Sequence, residues 1–262
     1  MSTTSILIAS FDKNRDLWPL FDFFFQKYWP DCPYQIYLGA NGKAYPEAVP
    51  GKLEDIHKGP DNSWSESMLE YMQEIPTDTV LLMLDDYILT GKPRTSEIAN
   101  AVEYAAEQAV YVRLNPEPRP RTQWKQDPVF GELRYFDRYR ASLKAAVWNT
   151  RFLLDMLSMK LDPWTFELSV GAKKEHRKLL FLSAFEQLLP NRHCVEAGKY
   201  TYWLPEYLKQ ERYDRPLHPD RPVLSYQDYQ QLFGKAGKLK RKIVELLPAR
   251  LYYYYQKLKR DV

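Results

Sequence analysis

The chain has 262 residues, 45% hydrophobic and 15% aromatic, which excludes a mostly disordered protein and allows one large core. Its net charge of +3 is unevenly held: residues 235–262 carry nine Lys/Arg against Glu245 and Asp261, a charge of +7, leaving −4 for the rest. A near-neutral body with a basic tail excludes nucleic acid gripped by the whole protein and points the tail at an anionic surface.

Ser5 to Ser10 is short, apolar and followed by a polar loop, so it predicts a buried strand. Asp16 then caps a helix whose Leu17, Leu20, Phe21, Phe24 and Phe25 recur at helical spacing. Gln35 to Leu38 is a second strand, and Ile56 closes a short third. A helix runs from Trp64 to Glu74. Val80 to Leu84 is the strongest strand, continuously apolar as a strand covered on both faces should be. Thr95 to Gln108 reads as a helix with Ile98, Ala101, Val102 and Ala105 inward, and Val110 to Leu114 as the next strand. This alternation predicts an α/β fold: a mainly parallel sheet with helices on both faces.

Beyond it the pattern changes. Asn115 to Pro128 holds four prolines and reads as a long loop. Arg134 to Val147 gives one or two strands, and Asn149 caps a helix bearing Phe152, Leu153, Met156 and Leu157. Pro163 opens a turn through Trp164 to Glu167. Lys178 to Leu182 is a late strand, and Cys194 to Leu204 a hairpin about Gly198. The expected domains are 1–232 and a basic, Tyr-rich helical tail, 233–262.

The chief chemical signal is Asp85-Asp86, at the carboxyl end of the most apolar strand, where open α/β sheets place ligands. Adjacent carboxylates repel unless a cation offsets them. A divalent ion held by one or two carboxylates and phosphate oxygens would do so, and would neutralise charge on a departing diphosphate. The plain alternative is a strand end that caps a turn. Glu167, flanked by Trp164 and Phe166, is a candidate general base, and Trp164 a stacking surface for a sugar ring; the alternative is a surface Glu after a core-packing Trp. Arg113, Arg119, Arg121, Arg138, Arg140, Lys173 and Arg177 are potential diphosphate partners or solvated charges, and His176 a further ligand or neither. No P-loop, G-x-S-x-G or Cys-His zinc spacing is present.

Over roughly Ser5 to Leu182 these motifs resemble bacterial GT-A-type glycosyltransferases. Leu84-Asp85-Asp86-Tyr87 is similar to their DxD-type motif in an Asp-Asp form, Ser10-Phe11-Asp12 to the first nucleotide-contacting loop, and Gly59 to Ser65 to the loop before the acidic motif. Tyr139 to Trp148, followed by Trp164 to Glu167, is similar to the acceptor half. The resemblance implies a GT-A-like, Rossmann-like sheet and a nucleotide diphosphate sugar as donor. It implies Asp86 as ligand to Mn²⁺ or Mg²⁺, Asp85 as a ribose or sugar contact, and Ser10, Asp12 and Asp61 as further donor contacts. Glu167 would act as base, and Trp164 would hold a saccharide or lipid-linked acceptor in cell-surface polysaccharide assembly. Tyr87 stands where a full DxD would continue.

The tail sets Lys238, Lys240, Arg241 and Lys242 before Ile243, Val244, Leu246 and Leu247, then four tyrosines, Tyr252 to Tyr255. Basic residues beside Tyr and Leu suit a membrane interface or a helix packed on protein. Two cysteines, Cys32 and Cys194, give no disulfide framework, and Met1 to Ser5 lack a basic leader region. The expected location is cytoplasmic, peripheral on the inner face of the plasma membrane through residues 235–260. The rivals are a sugar nucleotidyltransferase, disfavoured because Ser10 to Arg15 lacks Gly, and a non-catalytic carbohydrate-binding scaffold.

Overall fold

The computed structural model describes residues 3–42, 53–57, 59, 63–117, 119–135, 137, 139–171 and 173–233. Asp61, Arg138 and the tail beyond Phe233 lie outside them. The described residues form two compact units, divided between Asn191 and Arg192.

The first unit is built on a nine-stranded sheet. Its strands are β1 (Thr4–Ala9), β2 (Gln35–Ala40), β3 (Leu53–His57), β4 (Thr79–Leu84), β6 (Tyr111–Arg113), β7 (Thr122–Gln123), β8 (Phe130–Glu132), β9 (Ala146–Asn149) and β10 (Phe181–Ala184), with a short β5 (Tyr87–Leu89) outside it. They lie in the order β3-β2-β1-β4-β9-β6-β10-β8-β7. Parallel registers join β2 and β4 to β1, with Ala9 facing both Gly39 and Leu84. Seven of the nine strands run one way; β8 and β9 run against them. The α/β expectation holds, with β9 as an antiparallel insertion between β4 and β6.

Alternation explains why these strands are apolar throughout. Leu7, Val80, Leu82, Tyr111, Ala146, Trp148 and Phe181 share one core cluster with Met68 and Met72 of α2 (Trp64–Glu74) and Phe152 and Leu153 of α4 (Thr150–Leu157). The intervening Ile6, Ile8, Leu81, Met83, Val112, Val147 and Leu182 are as deeply buried, pointing to the other face. α3 (Thr95–Glu107) packs against β4, β6 and β9.

Several local expectations change. Asp16 is no cap: residues 12–17 form a 3-10 turn, and α1 (Trp18–Tyr28) follows with Leu17 at its N-cap and proline in its first turn. The described residues of 134–145 are not strand; the strands flank them as β8 and β9. Pro163 starts a helix rather than a turn, α5 (Pro163–Val170), because Asp162 accepts from the amides of Trp164 (3.1 Å) and Thr165 (3.0 Å). Asn149 caps α4 as expected, accepting from Phe152 N. In the second unit the hairpin forms about Ala197-Gly198, both at positive φ (49° and 75°), ahead of α6 (Leu204–Gln210) and α7 (Tyr226–Phe233). No helix among the described residues is long and apolar enough to cross a membrane.

Gly39 fixes how closely α2 approaches the sheet: a Cβ there would lie 2.5 Å from the buried Tyr71 ring. Gly39→Ala should cost about 1–3 kcal/mol by overpacking, read as a lowered urea midpoint with unchanged slope.

Candidate active site

In the strand order the run β3-β2-β1 reverses at β4, so the crevice between the carboxyl ends of β1 and β4 is the topological switch point. Ser10 and Asp85 meet there. Ser10 Oγ donates to Asp85 Oδ2 in a short hydrogen bond and accepts from Trp18 Nε1 at 2.7 Å. Asn14 Nδ2 donates to Asp85 Oδ1 at 3.0 Å. Asp85 is 3% exposed, and these bonds supply the donors that a buried carboxyl group requires. Both of its oxygens are engaged within the chain.

Asp12 closes the neighbouring loop. Its Oδ1 accepts from the amides of Asn41 and Gly42, each at 3.2 Å, while its own amide donates to Asn41 Oδ1 at 3.1 Å. This reciprocal clamp ties the β1 loop to the end of β2. Phe11, beside it, exposes 39% of its surface. Asp86 follows Asp85 and is half-buried.

The β4–β9 register brings the second half of the site to the same edge. Leu82 faces Ala146 and Thr79 faces Asn149, so residues 142–145 enter β9 beside the carboxyl end of β4. The carboxyl end of β6 is there too, with Arg113 facing Ala146 and Leu114 N bonded to Ala145 O at 3.1 Å. Glu167 of α5 grips this segment: Oε1 accepts from Ser142 Oγ and Leu143 N, both at 2.7 Å. Among the described residues Oε2 has no hydrogen-bond partner. Trp164, one turn earlier on α5, is 65% exposed, and Phe166 is fully buried between Trp64 and Trp148. The Trp164 indole is therefore not core packing.

Three candidates leave the site. Arg140 is buried and donates to three carbonyls, Leu133 (3.1 Å), His176 (2.8 Å) and Leu179 (2.7 Å), above the Phe181 ring; burial pushes its pKa down to about 10. Arg113 is fully buried, donating to Tyr111 Oη (3.0 Å) and to Tyr139 O. His176 is buried with Nδ1 2.5 Å from Val170 O. None of the three faces solvent.

Sequence reasoning missed Asn14, Asn41 and Ser142, which bond the candidate carboxylates, and Trp18 and Tyr111, which hold Ser10 and Ser142 in turn. It also missed Lys144, whose amide donates to Ser142 Oγ at 3.2 Å and whose ammonium pairs with Glu117. Asn41-Gly42 carried a turn signal. The others carried none that separates them from ordinary polar residues.

No protein-family model matches the sequence, and no curated protein sequence matches it. Among solved structures, S. aureus TarS 1–349 is similar at a TM-score of 0.48 and 9% identity, over 72% of this chain and 59% of TarS 1–349. TarS 1–349 has also been solved with UDP-GlcNAc and with UDP. The bifunctional IspDF from Campylobacter jejuni is similar at 0.38 and 14%, over 69% of this chain and 52% of IspDF. The galactosyltransferase LgtC, with donor and acceptor sugar analogs, is similar at 0.37 and 9%, over 69% and 86%. The chain thus spans about three fifths of TarS 1–349.

Burial holds the His176 pKa below its usual 6.5, which sets a pH dependence. The unfolded chain takes this proton more readily, so the contribution is intact above about pH 6.5 and is lost as pH falls through the folded value. Melting temperatures measured from pH 7 to 5 should fall less steeply for His176→Asn than for wild type; equal slopes would count against a buried neutral ring.

Proposed function

We propose that the chain is a glycosyltransferase that moves a sugar from a nucleotide diphosphate sugar to a hydroxyl of a saccharide or lipid-linked saccharide, in cell-surface polysaccharide assembly. One observation carries the reading: an acidic pair at the switch point of an open sheet shares its edge with a third carboxylate, Glu167, whose Oε2 has no hydrogen-bond partner among the described residues.

Ser10, Asp12 and Asp85 form the rigid floor of the donor side, and the exposed Phe11 ring offers a stacking face for a base. Asp61 is assigned to the donor from the sequence pattern alone. Asp86 is the remaining carboxylate of the pair. Among the described residues no group of three or more His, Cys, Asp or Glu is arranged to hold a metal ion. In this proposal Asp86 would hold Mn²⁺ or Mg²⁺ together with oxygens of the bound diphosphate. Such an ion supplies Lewis-acid stabilisation of the leaving diphosphate.

For transfer with inversion, Glu167 Oε2 takes the acceptor hydroxyl proton as that oxygen bonds to the anomeric carbon and the bond from carbon to diphosphate oxygen breaks. Ser142 and Leu143 fix the carboxylate through Oε1, so its orientation is set before the acceptor arrives. Trp164 stacks on the acceptor ring.

Calorimetry with nucleoside diphosphates, with and without Mn²⁺, tests the donor side: Asp86→Ala should abolish metal-dependent binding, and metal-independent binding by wild type would remove the metal. Glu167→Gln should keep donor binding and lower transfer by about 10²–10⁴-fold. Unchanged turnover would take it out of the mechanism.

The basic tail is proposed to dock on an anionic cytoplasmic leaflet, each Lys/Arg near the surface contributing about 1 kcal/mol. The helix that leads into it, α7, has no buried residue and exposes Tyr226 (57%) and Leu232 (46%). Full-length protein should sediment with phosphatidylglycerol vesicles and not with phosphatidylcholine, and truncation after Phe233 should abolish this while sparing activity on a soluble acceptor. Equal sedimentation with both lipids would defeat the electrostatic account.

A further inference from the structure

Tyr139 has an unfavourable backbone and an exposed ring. Its φ is 51°, in the left-handed region that bulky side chains rarely enter, yet it exposes 36% of its surface and is no part of the core. A glycine would take this turn without strain. Instead the turn is held from both sides. Arg113 donates through Nη2 to Tyr139 O and through Nε to Tyr111 Oη, which in turn accepts from Ser142 N at 3.1 Å. On the other side Arg140 is bonded to three carbonyls, and Gly171 at the end of α5 packs so closely that a Cβ there would lie 2.6 Å from Arg140 Cβ and 3.2 Å from Ala141 N.

Holding the turn this way is costly, because Arg113 is fully buried and among the described residues its Nη1 has no hydrogen-bond partner. The network that fixes Tyr139 also fixes Glu167, since Ser142 is bonded both to Tyr111 and to the Glu167 carboxylate. The backbone of Tyr139 and the carboxylate of Glu167 thus belong to one braced assembly of α5 and the turn before β9, and Tyr139 in that turn and Trp164 on α5 are both exposed.

We infer that Tyr139 is a second stacking residue of the acceptor subsite, paired with Trp164, and that the subsite takes a pyranoside with an apolar ring face; this rests on the acceptor role given above to Glu167 and Trp164. A strained backbone that persists at an exposed aromatic is the kind found at ligand-binding positions. Aromatic rings supply flat, rigid contact area for the C–H face of a sugar.

Saturation-transfer NMR with methyl β-D-glucopyranoside and methyl β-D-galactopyranoside, with and without UDP and Mn²⁺, tests this. Tyr139→Gly keeps the left-handed backbone and removes the ring; it should melt at or above the wild-type temperature and lose at least five-fold in transfer. Tyr139→Phe should retain the signal. Transfer that survives Tyr139→Gly but is lost in Trp164→Ala would overturn the role of Tyr139 and spare the acceptor reading. A lowered melting temperature for Tyr139→Gly would make the ring structural. Wild-type protein that transfers to neither pyranoside would overturn both.

Discussion

The antiparallel pairing of β4 with β9 is the constraint on which the candidate site depends. A parallel strand in that place would present its carboxyl end beside Asp85 and Asp86 and send the chain onward from there. Running the other way, β9 arrives at this edge with the segment that precedes it, residues 142–145. Its register allows little freedom: slipping by one residue would turn Val147 and Trp148 to opposite faces, exchanging a buried indole for a smaller side chain in two cores at once. Core packing therefore fixes where Ser142 and Leu143 fall, and through them where the Glu167 carboxylate is held.

Burial is equally decisive on the other side of the edge. A carboxyl group as enclosed as that of Asp85 is costly to bury unless donors match it. Ser10 and Asn14 supply them, and the Trp18 indole fixes the Ser10 hydroxyl in turn. The pair Asp85-Asp86 is thus divided by environment: the first is a buried tie between β1 and β4, and the second is half-buried. Two adjacent residues of one type have distinct surroundings because a strand end turns successive side chains to different sides.

The reach of the sequence can be judged residue by residue. β4 was legible because five consecutive apolar residues between polar flanks admit few other readings, and its position led directly to Asp85-Asp86. The direction of β9 was not legible: four residues carry a period of two but nothing that tells up from down. Arg113 and Arg140 were indistinguishable from surface cations, since what buries them is the convergence of β6, the turn before β9 and the 3-10 turn near His176. Pro163 signalled a turn, yet Asp162 before it made the same proline the first residue of a helix. Local chemistry was readable; the convergence of distant segments was not.

The reciprocal clamp between Asp12 and Asn41 has a thermodynamic consequence. Three hydrogen bonds close a loop between two strand ends, so this side of the crevice reaches its final shape during folding. Little conformational entropy is left there to surrender to a ligand, and discrimination among ligands at these loops becomes a matter of fit to a standing contour rather than of induced closure.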